Sequence, residues 1–397
     1  MATKFTYASL FSGIGGFEQA LNKFGGTCVF ASEIDKFAAK AYETLYGHKP
    51  TGDITQIDAK DVPDHDLLVG GFPCQSFSVA GKRRGFEDTR GTLFFEIARI
   101  VREKQPKALL LENVKGLVNH DKGRTLDVMI ETLNEIGYTV DFDVLNSKYF
   151  GVPQNRERIF IVAIRDDLIE QEEWSEETTK GQTVVPRGKR RLMRYVWLKA
   201  FNFDWPEQAE VTTRLRDILE SHVDEKYYLD KERTAKLVAQ LEQKEPNEVR
   251  ATALQNANMQ GRRIKENDEP SFTVSATDRP GVALSEPQML GHVDIKGNDS
   301  IKRTYSTEGI SPTLTTMGGG HREPKIAEEQ EVRPRYRIRK LTPLECFRLQ
   351  GFPDGAHEAV KQAGISDSQR YRQAGNAVTV NVIEAIAERL IPLIAGA

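Results

Sequence analysis

The first 165 residues alternate short apolar runs with segments of helical periodicity, and this alternation constrains the fold more than any other feature. Amphipathic stretches such as 37–46 and 92–102 can cover a sheet face. Alternating strands and helices are typical of a mostly parallel sheet. We therefore predict an α/β fold of the doubly wound, Rossmann-like type. Its strands are expected at residues 5–11, 27–33, 66–71, 107–112, 138–145 and 157–164.

The alternation stops near residue 168, where a polar stretch leads into short, weakly patterned segments. Such a shift in composition marks a domain boundary. Helical periodicity returns at 380–391, which predicts that the C-terminus packs back on the first domain. We predict one domain from residues 1–185 and 368–397, and a second, smaller domain with a hinge from 186–367.

Composition narrows the class of protein. No basic N-terminal region precedes an apolar stretch, and no long apolar run occurs, so we expect a cytoplasmic protein without a membrane span. The three cysteines, Cys28, Cys74 and Cys346, lie far apart without zinc-ligand spacing, so we predict reduced thiols and no metal. The net charge of −3 is unusual for a nucleic-acid-binding protein. Dense basic runs at 187–194 and 333–340 could still line a groove for phosphates.

A glycine turn follows the first strand, in the sequence Phe11-Ser-Gly-Ile-Gly-Gly-Phe17. By itself the turn is also compatible with a tight loop that binds no ligand. Glu33, at the end of the next strand, is placed to bind a ribose diol, and Asp53-Ile54 to hold an adenine. Neither a dinucleotide nor a P-loop glycine pattern is present, which favours a nucleoside cofactor without phosphates.

Cys74 lies in the loop Phe72-Pro-Cys-Gln-Ser-Phe-Ser78, after a central strand. A lone cysteine is usually an inert small hydrophobe. Glycines before this one and polar residues after it indicate an accessible loop, which favours a nucleophile. The following strand ends in Glu112, which brings a carboxylate to the same sheet edge; alone, it would be interpreted as a helix cap or surface acid.

In this order, the motifs resemble those of the bacterial and phage cytosine-C5 DNA methyltransferases. The glycine turn is similar to the family's cofactor motif, 70–78 to its nucleophile loop, and 111–114 to its acidic motif. Three further segments complete the resemblance, which covers about 1–165 and 335–397 and leaves the middle to the family's variable target-recognition region. They are Gln154-Asn-Arg-Glu-Arg158, Arg339–Phe352 and Arg372-Gln-Ala-Gly-Asn-Ala-Val378.

The resemblance implies a methyl transfer from S-adenosylmethionine to cytosine C5, with Cys74 as the transient nucleophile. It implies that the first domain binds the cofactor and that the second reads double-stranded DNA. The implied catalytic residues are Cys74, Glu112, Gln154, Arg156 and Arg158. The implied cofactor-binding residues are Phe11, Gly13, Ile14, Gly15, Gly16, Glu33, Ile34, Asp53, Ile54, Pro73, Leu93, Asn376 and Val378. The expected DNA-binding residues are Lys82, Arg83, Arg84, Thr313, Leu314 and Arg322.

Three alternatives stay open at this point. A tRNA cytosine methyltransferase would use the same chemistry on the same scaffold, although its loop usually carries a threonine where this chain has Ser78. A non-catalytic DNA-binding regulator would keep the fold without the activity. A nicotinamide dehydrogenase would leave the Pro-Cys-Gln loop without a role. We expect a monomer, with a restriction endonuclease as a separate partner.

Overall fold

The computed structural model describes residues 5–72, 93–242, 251–253, 264–265, 280–282, 287–317, 322–329 and 336–395. Among these residues, no helix combines the length and apolarity needed to cross a bilayer.

A six-stranded sheet lies at the centre, in the order β2-β1-β3-β4-β6-β5. All the strands predicted from the first 165 residues are confirmed, with ends that differ by one or two residues. They are β1 (Phe5–Leu10), β2 (Gly26–Ser32), β3 (Leu67–Gly71), β4 (Ala108–Val114), β5 (Tyr138–Asn146) and β6 (Glu157–Arg165).

Strand β6 departs from the parallel pattern. It pairs antiparallel with both β4 and β5, whereas the pairs among β1 to β4 are parallel. The connection 147–156 is too short for a helical crossover, because parallel neighbours need a dozen or more linking residues. The predicted α/β class is confirmed, with one antiparallel strand in the sheet.

The described helices include those predicted at 37–46, 92–102 and 380–391. The helices before residue 200 are α1 (Gly16–Leu21), α2 (Lys36–Tyr46), α3 (Leu93–Lys104), α4 (Arg124–Glu135), α5 (Glu176–Thr179) and α6 (Val184–Leu192). The later ones are α7 (Lys231–Glu242), α8 (Asp299–Lys302), α9 (Pro343–Arg348), α10 (Asp354–Gln362), α11 (Asp367–Asn376) and α12 (Val380–Ala395).

Hydrophobic clusters cover both faces of the large sheet. Tyr7 and Val69 belong to one cluster, while their neighbours Ala8 and Leu68 belong to the other, as the alternation of side chains along a strand requires. Buried side chains of α12 join the Tyr7 cluster. The C-terminus therefore returns to the first domain, as predicted.

The middle of the chain forms smaller sheets. Strands β7 (Ala251–Ala253), β8 (Ile264–Lys265) and β9 (Pro280–Val282) form one, in the order β8-β7-β9. Strands β10 (Met289–His292), β11 (Arg303–Ser306), β12 (Lys325–Glu329) and β13 (Tyr336–Lys340) form another, in chain order. A separate cluster of buried residues, including Leu237, Val293 and Ile338, lies beside this second sheet.

The predicted domain division stays a prediction. Cys346 and Phe347 of α9 are buried in the same cluster as Tyr7, on the large sheet. Leu314 and Ile326 of the middle region belong to the same cluster, so membership of this cluster does not mark a boundary.

Parts of the two basic runs are buried. Lys189 is 1% exposed, with its Nζ 2.7 Å from Asp141 Oδ1. Arg339 is fully buried, with its guanidinium 2.8 Å from Glu345. These two side chains stabilise the interior and are not available to phosphates.

Candidate functional site

A cavity of about 720 Å³ opens at the carboxyl edge of the large sheet. The chain leaves β1 in one direction to form β2 and in the other to form β3, and such a switch point is where open α/β sheets bind ligands. The cavity brings together most of the predicted site residues that the structure describes. They are Phe11, Gly13, Ile14, Glu33, Ile34, Asp53, Ile54, Leu93, Glu112, Arg156, Arg158, Thr313, Leu314 and Asn376.

The glycine turn between β1 and α1 is shaped by close packing. Gly15 has φ +80°, and a Cβ there would lie 2.2 Å from the Tyr46 ring. A Cβ on Gly16 would lie 2.7 Å from Val378. Gly15, Gly16 and Val378 therefore shape the cavity from behind and do not line it.

Gly13 has the opposite surroundings. Its φ is +58°, and no atom lies within 4 Å of where its Cβ would be. The left-handed conformation favours glycine here. The backbone of the turn is consequently open to a ligand in the cavity.

Glu33 is oriented by two backbone donors. Its Oε2 accepts from Gly13 N at 2.9 Å, and its Oε1 accepts from Asp35 N at 2.7 Å. Burial raises the pKa of Glu33 above its ordinary value. Each carboxylate oxygen keeps a further lone pair for a ligand hydroxyl. The position suits a ribose diol.

Next to Glu33, the cavity is lined by the apolar side chains of Ile34 and Ile54 and by the carboxylate of Asp53. Ile34 is 72% exposed and lines the cavity. Asp53 accepts from Thr55 N at 3.0 Å and lies beside the buried Ile54. An exposed apolar surface and a carboxylate suit an aromatic ring with an amino group. The residues present therefore fit a nucleoside cofactor.

Glu112 lies at the end of β4, within the same cavity. Its Oε1 lies 3.0 Å from Arg158 Nε, and the residue is 9% exposed. Burial raises its pKa, against the opposing charges of Arg158 and Arg156. A carboxyl group that stays protonated to a higher pH than usual can donate a hydrogen bond as well as accept one.

Asn113, the residue after Glu112, holds the start of the predicted nucleophile loop. Asn113 Nδ2 donates to Phe72 O at 2.7 Å, which fixes the chain at the end of β3. Cys74, Pro73, Lys82, Arg83 and Arg84 lie outside the described residues. Their predicted roles stay predictions.

Arg156 and Gln154 tie separate segments together. The guanidinium of Arg156 donates to the carbonyls of Leu314, Gly375 and Ala377 at 3.1, 3.2 and 2.9 Å. Burial lowers its pKa to about 9. Gln154 donates to Leu349 O at 2.7 Å and accepts from Leu314 N at 3.1 Å. Both side chains are buried and hold the walls of the cavity.

Segment 311–317 forms one of these walls. Thr313 Oγ1 donates to Asn155 O at 2.5 Å, and Leu314 is 1% exposed. Leu314 therefore anchors the segment in the core, while Arg322 is exposed. A Cβ on Gly375 would lie 1.8 Å from Thr315 O, so the segment packs directly on the backbone of α11.

Sequence reasoning missed several lining residues on α11. Gln369, Arg372 and Gln373 line the cavity together with Asn376, and their spacing places them on one helical face. Arg372 Nη1 lies 3.2 Å from Asp35 Oδ2, another lining residue that was missed. The helical spacing back from Asn376 is the signal that could have found them.

The sheet with its switch-point cavity, the groups that would fit a nucleoside and the buried glutamate are the arrangement expected of a methyltransferase of the α/β class. Residues 5–392 match the family model for C-5 cytosine-specific DNA methylases, and the chain belongs to this family. It is a DNA cytosine methyltransferase.

Relatives that align over nearly their whole length are methyltransferases by name. The orphan methyltransferase M.Rho11sI of Bacillus phage rho11s is 42% identical, over 98% of each chain. The type II methyltransferase M.HhaI of Haemophilus parahaemolyticus is 37% identical, over 97% of this chain and 94% of its own. Among solved structures, the Schizosaccharomyces pombe Dnmt2 methyltransferase is similar in fold, with a TM-score of 0.59 and 19% identity, over 98% of this chain and 99% of its own.

Proposed function

We propose that the protein flips a cytosine out of duplex DNA at a specific sequence, adds Cys74 to C6 and methylates C5. The single observation that best supports this proposal is the shared cavity. Glu112, Arg158 and the proposed cofactor-binding residues Gly13 and Glu33 all line it, at the edge where β3 leads into the loop of Cys74.

The chemistry begins with activation of the ring, because C5 of an intact cytosine is a poor nucleophile. The thiolate of Cys74 forms a bond to C6, and the ring becomes an enamine with electron density at C5. Glu112 hydrogen-bonds the N3/N4 edge and stabilises the negative charge that develops on the ring. Arg158, 3.0 Å from Glu112, orients this carboxyl group.

Protein residues then restore the aromatic ring. When bound, S-adenosylmethionine supplies an electrophilic methyl group, which C5 accepts. A base removes the proton from C5, the C6–S bond breaks, and its electron pair returns to Cys74. The neutral thioether S-adenosylhomocysteine is the leaving group, the base carries away the positive charge as the C5 proton, and Cys74 ends as the thiolate with which it began.

The cofactor would be held by residues from several elements. Phe11 and Gly13 line the cavity from the turn after β1, and Glu33 and Ile34 line it from the end of β2. Asp53 and Ile54 would hold the adenine; Leu93 lines the same cavity, and Pro73 is a further predicted contact. Asn376 lines the same cavity, and Val378 supports the turn at Gly16. Sulfonium and ribose carry no phosphate, in agreement with the absence of a phosphate-binding glycine pattern in the sequence.

Base flipping is required because C5, C6 and the Watson–Crick edge cannot all be reached in a duplex. Lys82, Arg83 and Arg84 would contact phosphates as the nucleophile loop closes over the base. The smaller domain, with Thr313 and the exposed Arg322 near its edge, would select the sequence. A monomer, a cytoplasmic location and a separate restriction endonuclease stay predictions.

Bisulfite sequencing of plasmid DNA from expressing cells tests the proposal. We expect protected cytosines at one short sequence for the wild type and none for Cys74→Ser. Cys28→Ser is the matched control, because Cys28 lies on the edge strand β2 and hydrogen-bonds to Phe30 O. This control should methylate as the wild type does.

Two outcomes would contradict the proposal in different ways. Methylation by Cys74→Ser would overturn the covalent mechanism. A wild type that binds DNA but leaves every cytosine unprotected would favour the non-catalytic regulator.

A further inference from the structure

We propose that Arg372 binds the adenosine half of the cofactor, and that Asp35 holds Arg372 in place for this contact. The inference rests on the proposed cofactor. Neither Arg372 nor Asp35 is among the cofactor-binding residues predicted from the sequence.

One face of α11 forms a wall of the cavity. Gln369, Arg372, Gln373 and Asn376 recur at intervals of three and four residues, and all line the cavity. The family resemblance implies that Asn376 completes the methionine end of the pocket. Arg372 is four residues earlier, about 6 Å along the helix axis. The face therefore extends from the methionine end toward the opposite end of the cavity.

The partner of Arg372 identifies that opposite end. Arg372 Nη1 lies 3.2 Å from Asp35 Oδ2. Asp35 directly follows Glu33 and Ile34, the groups that suit the ribose and the base. Arg372 consequently lies beside the adenosine half of the site.

Asp35 performs two tasks with two oxygens. Its Oδ1 caps α2 by accepting from Phe37 N at 2.9 Å and Ala38 N at 3.0 Å. Its Oδ2 is left to hold Arg372. A second tie joins the same elements, because Gln373 Nε2 donates to Phe37 O at 3.0 Å. The start of α2 thus fixes the position of α11.

Arg372 remains accessible despite this ion pair. Its side chain is 48% exposed, and the residue lines the cavity. A guanidinium is planar and stacks on aromatic rings, which a lysine ammonium does not do in the same way. Together with the exposed Ile34, Arg372 offers the purine ring both an aliphatic and a planar cationic surface.

The test measures cofactor binding without DNA and without turnover. Isothermal titration calorimetry would follow S-adenosylhomocysteine and 5′-methylthioadenosine, which has the adenosine part but no amino-acid part. The variants are Arg372→Ala and Asp35→Asn; asparagine preserves the helix cap and removes only the charge. Arg233→Ala is the matched control. Arg233 lies on α7, away from the cavity; it is 51% exposed and pairs with Asp230 at 3.0 Å.

We expect Arg372→Ala to weaken both ligands by the same factor, about fivefold to thirtyfold. Asp35→Asn should weaken both by a smaller factor, and Arg233→Ala should change neither. Unfolding midpoints measured in parallel separate a loss of binding from a loss of folding.

Several results would overturn the inference. Equal affinity of wild type and Arg372→Ala, with or without a lower unfolding midpoint, would make the ion pair a purely structural tie. A loss for S-adenosylhomocysteine alone would place Arg372 at the carboxylate of the amino acid. A wild type that binds neither ligand would contradict the proposed cofactor itself.

Discussion

The large sheet and the four-stranded sheet of the middle region are stabilised by different interactions. The large sheet is covered on both faces by apolar clusters that extend over most of the first domain. Beside the smaller sheet, the described residues form a cluster with only a few members, among them Leu237, Ile295 and Ala327. Charged groups supplement it, because Arg339 of β13 lies between Glu345 and Glu328 at 2.8 and 2.7 Å.

This difference relates to what each region does. The large sheet places Glu33 and Glu112 at the ends of β2 and β4, beside apolar clusters that cover both of its faces. In the proposed function the smaller region presents a surface to DNA, which would leave fewer of its residues to form a core. If this comparison holds, loss of a carboxyl group in the first region should affect the chemistry. Loss of a buried ion pair in the second region should affect its stability.

The largest effect is expected from Glu112→Gln at the edge of the large sheet. Glutamine keeps the size of the side chain but cannot transfer a proton, so kcat should fall by about 10²- to 10⁴-fold. Single-turnover methylation of a DNA duplex that contains the target measures this. S-adenosylhomocysteine affinity should stay unchanged, since Glu112 is not among the residues assigned to the cofactor.

The pH dependence of the wild type follows from the same group. Burial raises the pKa of Glu112, so its protonated form persists to higher pH than for an ordinary glutamate. Activity that depends on this proton should fall as pH rises through the raised pKa. If this falling limb were also present in Glu112→Gln, the limb would belong to another group.

In the smaller region, the largest effect is expected from Arg339→Met. The substitution leaves Glu345 buried and unpaired, which costs about 3–5 kcal/mol in free energy of unfolding. Urea denaturation checks this value. Arg337→Met on the same strand is the control, because Arg337 pairs with the exposed Glu225 and methionine still contacts the Tyr228 ring. Equal destabilisation by both variants would contradict the role given to the buried network.

The sequence predicted the large sheet well and the smaller region poorly, for a physical reason. Strands covered on both faces appear as apolar runs, so Leu67–Gly71 and Ala108–Val114 could be recognised directly. Strand β6 was located but not oriented, since periodicity does not record direction. In the middle, short strands such as β11 alternate weakly, and their partners are set by tertiary contacts.

The site shows the same contrast. Glu33 and Glu112 were predicted because each lies at the end of a strand that is visible in the sequence, and Asp53 because it comes after the next helical segment. Asp35 and Arg372 meet only because α11 returns from the end of the chain. No local sequence pattern predicts that contact; only the recurrence of polar residues at intervals of three and four on α11 indicates a face that lines the cavity.

Glu18 offers a smaller test within the large domain. It is buried beside α2, with Oε1 accepting from the Tyr42 hydroxyl at 3.0 Å, and burial raises its pKa to about 7. Folding therefore favours the protonated form. The stability it contributes is complete below the unfolded pKa near 4.5 and is lost as pH rises through about 7.

Glu18→Gln should remove this dependence on pH. At pH 5 the variant and the wild type should unfold at similar urea concentrations. At pH 8 the variant should be more stable, by up to about 3 kcal/mol for a pKa displaced this far. A variant that is equally destabilised at both pH values would show that Glu18 matters for packing and not for its charge.

Alanine substitutions at two glycines should give the smallest changes in the free energy of unfolding, and these changes should have opposite signs. A Cβ on Gly375 would lie 1.8 Å from Thr315 O, which is backbone and cannot rotate away. Gly375→Ala should therefore cost about 1–3 kcal/mol by forcing segment 311–317 away from α11. Gly355, inside α10, has no atom within 4 Å of its Cβ position. Gly355→Ala should instead stabilise the protein by about 0.4–1 kcal/mol, because alanine restricts the unfolded chain. Thermal unfolding of both variants measures the two signs together, and destabilisation by Gly355→Ala would mean that the cost at Gly375 is not specific to its contact with Thr315.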